Sequence, residues 1–212
     1  MAVGTNGADG STAAPADRRA PRRQARGTAR RDAIVRAAAD LILREGPGAV
    51  THRAVAARAE VPLAATTYYF TGLDDLVAAA GQVVVDGWVQ HARDAADRAL
   101  RPGAVPQDRA VVLADAVLPD LDEAGVRGFY EHLVGAGRYP TLAQAYAQGR
   151  DRLDAAVAHV LDALGAGWLS PGVLVAVVDG AAVSALSEGR DVRALAARLV
   201  AALLDGRAGP AA

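Results

Sequence analysis

The stretch THRAVAARAEVPLAATTYYF, residues 51–70, reads as two short helices joined by a tight bend. Thr51 suits the cap of the first, because a side-chain oxygen there accepts from a backbone N–H left free one turn in. Val55, Ala56 and Ala59 recur at helical spacing and make a narrow face of small residues, fit for close packing on a neighbour. The bend falls at Glu60-Val61-Pro62, since proline disfavours helix in the residue before it and suits the first turn of a new one. The second helix, Leu63 to Phe70, carries hydroxyls and aromatics that folding does not require, at a length suited to a DNA major groove. The pattern predicts a helix-turn-helix.

Upstream, Ile34, Ala37, Ala38, Leu41 and Ile42 line one face of a helix predicted over 30–45, and Gly46-Pro47-Gly48 stops it. With the two short helices it makes a three-helix head, residues 29–72. Residues 1–28 are Gly/Ala/Thr/Pro-rich and then Arg-rich (Arg18, Arg19, Arg22, Arg23, Arg26), with too little apolar surface to offset ordering. This segment is expected to be a disordered arm. It either follows DNA phosphates or enters a minor groove, or is a solvated tail.

Downstream, residues 73–206 are expected to form a helical body. Asp74 and Asp75 mark the first turn of a connector helix, along which Leu76, Val77, Ala80, Val84, Trp88 and His91 form one stripe to about Arg98. Arg101-Pro102-Gly103 through Pro106 ends it. A helix from Gln107 to Glu123 is expected to kink or split at Pro119, and a short one runs from Phe129 to Ala136. Thr141 reads as the cap of a helix reaching Leu164. Ser170-Pro171 opens a helix to about Ser187 that is apolar almost all round and therefore expected to be buried all round. The last helix spans Asp191 to Asp205. Pairing these final two helices with the same two of a second copy would bury their excess apolar surface in a four-helix bundle. About 800 Å² per partner suffices for a stable interface.

Composition agrees with an all-α chain: of 212 residues 52% are hydrophobic but only 4% aromatic, so the core is Ala/Val/Leu packing. Charge is unevenly placed. Residues 1–70 hold 11 Arg against 6 acids and the remainder 12 against 18, a basic end on an acidic body. Every one of the 23 basic residues is Arg. With no Cys, no glycine-rich phosphate loop, no Gly-x-Ser-x-Gly elbow and no metal spacing among His52, His91, His132 and His159, no enzyme, metal or cofactor is expected. No apolar leader is seen, and the run at Val173–Val178 falls short of a membrane span, so a cytoplasmic protein without a membrane partner is expected.

Residues 30–80 resemble the DNA-binding domain of the tetracycline-repressor (TetR) family. Thr51, Val55-Ala56, Ala59, Val61 and Phe70 keep that family's frame without a gap. Glu60 stands in place of its turn Gly, Pro62 in place of Ser, Thr67 where the first Tyr is common and Tyr69 where His is common. The resemblance implies a homodimer joined through its C-terminal helices, bound to a palindromic double-stranded operator as a repressor and released by a small-molecule effector. Thr66, Thr67, Tyr68 and Tyr69 are then expected to face DNA, with one of the two tyrosines turned inward beside Phe70. Leu63 and Ala64 would touch bases by apolar packing, and Thr51, His52 and Arg53 would contribute from the preceding helix. Arg53 falls where some relatives place a guanine-reading Arg. The effector pocket would lie in the acidic body, with Trp88, His91, Tyr130, His132, Tyr139 and Tyr146 as its candidate lining. A ligand favouring one spacing of the two heads would weaken DNA binding by about 1–3 kcal/mol of coupling. The competing reading is a helical small-molecule-binding or scaffold protein whose head has lost DNA binding.

Overall fold

The computed structural model describes residues 19–101 and 108–206. Regular structure among them is entirely helical: α1 (Arg19–Glu45), α2 (His52–Arg58), α3 (Leu63–Tyr69), α4 (Leu73–Leu100), α5 (Arg109–Asp115), α6 (Glu123–Gly135), α7 (Pro140–Ala163), α8 (Pro171–Glu188) and α9 (Val192–Asp205). Short 3-10 turns at Pro47–Ala49 and Ala136–Arg138 follow α1 and α6.

The head forms as the 51–70 stretch dictates. The Thr51 side chain accepts from the Ala54 N–H at 3.0 Å and caps α2. Glu60 takes φ 53 at the turn, the left-handed region that glycine enters without penalty. The departure from Gly therefore leaves the bend intact at a local cost. Glu60→Gly is expected to raise stability by about 0.5–1 kcal/mol, the left-handed penalty less the added entropy of an unfolded glycine; urea midpoints measure it.

The structure corrects the sequence at several helix ends. α1 begins at Arg19, so residues 19–28, expected to be disordered, are helical. The expectation weighed apolar content alone. Ala, Arg and Gln extend a helix already anchored from Ile34 onward, and Pro21 sits in the first turn, where no hydrogen bond is lost. The rest of that arm, residues 1–18, lies outside the described residues, as does the connector's stop at 102–106. α5 ends at Asp115, well before Pro119, and α6 starts afresh at Glu123 under an Asp122 cap that accepts from the Gly125 N–H at 2.8 Å. Thr141 is not a cap, because Pro140 already occupies the first turn of α7. Arg193 of α9 ties down the α5–α6 connection through Asp115 (2.6 Å) and the Pro119 carbonyl (2.9 Å).

Two apolar clusters form. The head's cluster gathers Ile34, Leu41, Ile42, Val55 and Phe70 with Leu76 to Val84 of α4, Ala136 and Leu142. The body's cluster gathers α4 from Val85 onward with α5 to α9. Trp88 and Tyr146 pack against both. α4 therefore belongs half to each cluster, and the division expected at residue 72 does not coincide with a boundary between the two cores.

α4 and α7 approach closely along small residues. A Cβ at Gly81 would lie 2.7 Å from that of Ala145, and one at Gly149 would run into the Val85 side chain. Gly149→Ala is thus expected to destabilise by about 1 kcal/mol, overpacking outweighing the helix preference for Ala. In a Val85→Ala background the same change should cost less, because only the Cβ of residue 85, 3.0 Å away, then remains in its path, and paired urea titrations would measure the difference.

α8 is not buried all round. Leu174, Val178, Ala181, Ala182 and Ala185 face the body, whereas Val173, Ala176, Gly180 and Val183 make an exposed stripe at spacings of three and four. Val173 and Val183 are 44% and 46% exposed. By length and composition alone α8 could cross a membrane, with a mean hydropathy of 1.4, but its inner face completes the body's core.

Candidate functional site

Two sites emerge, one on the head and one inside the body. On the head, α2 and α3 present Arg53, Leu63, Ala64, Thr67 and Tyr68 to solvent, with Leu63 53% and Tyr68 81% exposed. A large aromatic and a large aliphatic side chain standing this far into water contribute little to the head's core. Tyr69 is half-buried and meets Tyr68 edge to face at 4.9 Å between centroids, so it is the inward member of the pair. Its hydroxyl lies against Gly27, where an added Cβ would be 3.6 Å away.

Thr66, expected on the outer surface, is not there. It is fully buried, and its hydroxyl donates to the Leu63 carbonyl at 2.8 Å. With that proton committed, the Thr66 oxygen accepts from His52 Nδ1 at 3.1 Å. Thr66 therefore fixes the His52 ring across the α2–α3 bend and leaves Nε2 as the ring nitrogen open to a partner. The burial follows from position: Thr66 lies one helical turn before Phe70, on the face that meets α1 and α2. Thr51 spends its oxygen as the cap, although its hydroxyl proton can still be donated.

The charges of the head are sorted. Asp40 and Glu45, near the C-terminal end of α1, are held by Arg44 and Arg58. Arg31 stacks over the Phe70 ring, 5.2 Å from its centroid. Arg26, Arg30 and Arg53 make no ion pair with any described residue. Uncommitted positive charge lies on α2's first turn and on α1's early turns, which pack beside α3, and Arg36 farther along α1 is likewise exposed without an ion pair to any described residue.

The body holds a cavity of about 330 Å³ between α4, α6, α7 and α8. Trp88, Phe129 and Tyr146 form its aromatic wall; Trp88 meets Phe129 edge-on at 5.9 Å and Tyr146 at a tilt at 4.8 Å. Val85, Leu133, Leu153, Val157 and Val175 complete the apolar lining. Its polar end consists of Arg150 and Asp179. Asp179 accepts from the Tyr130 hydroxyl at 3.0 Å, and Arg150 is held by Asp154 at 2.7 Å. Burial raises the Asp179 carboxyl above its ordinary range, against the opposing pull of the Tyr130 hydrogen bond and the Arg150 charge. Burial, and secondarily Asp179, likewise raises the Tyr130 phenol, and burial alone raises that of Tyr146. Both phenols therefore stay protonated as donors across physiological pH.

Of the six expected lining residues, Trp88 and Tyr146 do face the cavity. Tyr130 stands one layer behind, acting through Asp179. His91 is elsewhere: its Nε2 donates to the Asp115 carbonyl at 2.7 Å and secures the end of α5. His132 and Tyr139 are at the junction with the head, where a Cβ at Gly46 would lie 2.8 Å from His132 Nδ1 and one at Gly48 2.9 Å from the Tyr139 hydroxyl. All three corrections share one cause. Tyr and His tips are chosen for their chemistry, whereas helix register decides which way each one points. Phe129, Arg150 and Asp179 fall outside the expected set, and Asp179 carries a signal: it is the lone charge within residues 171–187.

Residues 34–80 match the family described as bacterial regulatory proteins, tetR family, and residues 104–206 match the tetracyclin repressor-like C-terminal domain. The multidrug binding protein EbrR complexed with ethidium is 31% identical over 80% of this chain and 98% of its own, with a TM-score of 0.56. The chain belongs to the TetR family. The proflavin complex of EbrR is 32% identical over 80% of this TetR-family chain and 99% of its own, with a TM-score of 0.53. SCO7518 from Streptomyces coelicolor A3(2) is 29% identical over 81% and 96%, with a TM-score of 0.56. No curated protein matches the sequence. TetR-family membership makes the chain a regulator with a helix-turn-helix head and a helical ligand-binding body.

Proposed function

We propose that this TetR-family protein is a non-enzymatic cytoplasmic repressor that binds a palindromic operator as a homodimer and lets go when an aromatic cation enters the body. The observation that carries the reading is the cavity: three aromatic rings line a space whose polar end carries the half-buried Asp179 carboxylate beside Arg150. Aromatic faces attract cations, and an ionised carboxylate beside them adds to the pull, while the Arg150 charge is engaged by Asp154. EbrR, with the matching fold, has been crystallised with ethidium and proflavin, and both ligands are flat aromatic cations.

On the head, Thr51, His52, Arg53, Leu63, Ala64, Thr67 and Tyr68 are the contacts we infer, with hydroxyls and Arg on phosphates or base edges and Leu63 and Ala64 on thymine methyls. Thr66 acts by holding His52, and Tyr69 by bracing Tyr68. The exposed α8 stripe, with α9 beside it, is the inferred dimer face. Gly180 has open space where its Cβ would be, so another helix can come close there.

Coupling would run through α6. Phe129 and Leu133 border the cavity, while His132 one residue away rests on Gly46 and Ala136 joins the head's core. A ligand that presses α6 outward thus presses on the loop leading into α2. The scaffold reading rests on the departures from the family pattern. Glu60 adopts the backbone that Gly would, so that departure leaves the turn intact, while Thr67 stands exposed on α3.

The test is a mobility shift of the chain's own upstream DNA, with steep loss of affinity as salt rises and release by ethidium or proflavin. Binding that persists at saturating dye would overturn the effector half. Failure to bind at low salt would overturn the DNA half.

A further inference from the structure

α1 starts fifteen residues before Ile34, its first buried side chain among those described, and that extension is chemically unusual. Residues 19–31 hold six Arg and no acid. Positions 19, 22, 23, 26 and 30 follow at helical spacing along one side, so like charges stand three and four residues apart in succession. Pairs of that kind oppose helix formation. Arg26 and Arg30 are exposed and find no acidic partner among the described residues. The first acid on the helix is Asp32, past the end of the stripe.

Position supplies the second observation. Gly27 lies against the Tyr69 hydroxyl, so the extension runs beside the C-terminal end of α3 and next to exposed Tyr68. The opposite end of α1 has its charges neutralised by Arg44 and Arg58 with Asp40 and Glu45. Positive charge on this helix is thus left uncompensated where it passes the reading surface.

We propose that residues 19–31 form a rigid helical rail that lies along the sugar–phosphate backbone of duplex DNA flanking the site occupied by α3. The proposal rests on the head being a DNA reader and adds to it a second, sequence-blind contact. A polyanion along the stripe relieves the repulsion that the free protein bears, so the rail is held straightest when DNA is bound. The contact raises affinity for every duplex alike and carries no sequence preference.

The experiment uses the full chain and measures anisotropy on its upstream fragment and on an unrelated duplex over a salt series. Two variants are compared with wild type: Arg26→Gln with Arg30→Gln, and an insertion of three Gly after Thr28 that keeps every charge but breaks the rail. Both should weaken the two duplexes by the same factor and flatten the salt dependence by about 0.9 for each phosphate no longer neutralised, roughly 3–4 for a dimer carrying the double substitution. Circular dichroism of the unbound variants checks that the remaining helices are intact. Unchanged slopes in the double variant overturn the rail. A Gly insertion that binds as wild type does overturns it too, because a flexible charged tail would then suffice. Equal capture of the extension by anionic vesicles lacking DNA, with no slope change on DNA, would assign the stripe to a lipid surface instead. A wild-type chain that binds no duplex at all defeats the head reading and the rail together, whereas every other negative leaves the head reading standing.

Discussion

Replacing Val183 with Asp is expected to give a folded chain that sediments as a single subunit and no longer grips its palindromic site. Val183 lies on the exposed α8 stripe with Val173, Ala176 and Gly180, a narrow ridge of small and branched side chains at helix–helix spacing. In the proposed dimer two-fold symmetry brings each carboxylate near its own copy. An uncompensated buried charge costs about 3–5 kcal/mol, which weakens association by roughly 100-fold or more. Val134→Asp is the control: that valine, on α6, is more exposed (73%) and lies off the stripe, so its substitution should change nothing. Sedimentation of both variants against wild type reads the result. If Val183→Asp remains a dimer, the interface lies on another face.

The second large effect is expected at the closed end of the cavity. Asp179→Asn keeps the shape and an acceptor for Tyr130 but removes the charge, so binding of ethidium or proflavin should fall by about 10- to 150-fold, the worth of a charged hydrogen bond. Affinity for a neutral ring system of the same outline should change little. Trp88→Ala should weaken both, since it removes wall area as well as ring charge. The pH dependence follows from the raised Asp179 carboxyl. As pH falls through that raised range the group takes up a proton, the cage loses its negative charge beside Arg150 and cation affinity drops. Stability moves the other way. A folded-state carboxyl raised above its unfolded value contributes most below the unfolded value, and that contribution is lost as pH rises through the folded one. Calorimetric titration at several pH values, with Asp179→Asn as the flat reference, separates the two.

Much of the head is legible in the sequence because local chemistry fixes it. The Thr51 cap, the break before Pro62 and the small-residue face of α2 each act within a turn of their own position. The Arg19 start of α1 is not legible in the same way, because an anchored helix extends through good helix formers that would never fold by themselves. The cavity is half legible. Trp88 and Tyr146 stand out because large rings in an Ala/Val/Leu body must line something. His91, His132 and Tyr139 mislead because a few tens of degrees around a helix separate a cavity wall from a junction. Asp179 is the readable signal outside the expected set, since a single carboxylate inside an apolar helix demands a partner, and Tyr130 supplies it.

The glycine contacts between α4 and α7 have a mechanical consequence. With Gly81 seated on Ala145 and Gly149 under Val85, these two walls already touch at near-backbone distance at two places one turn apart. Under the proposed function they would act as the fixed jaw of a vice, and guests of different girth would be accommodated by a movable jaw that carries Phe129 and Leu133. Thickness of the guest, more than its functional groups, would then set how far that jaw travels and how hard it leans on the loop at Gly46.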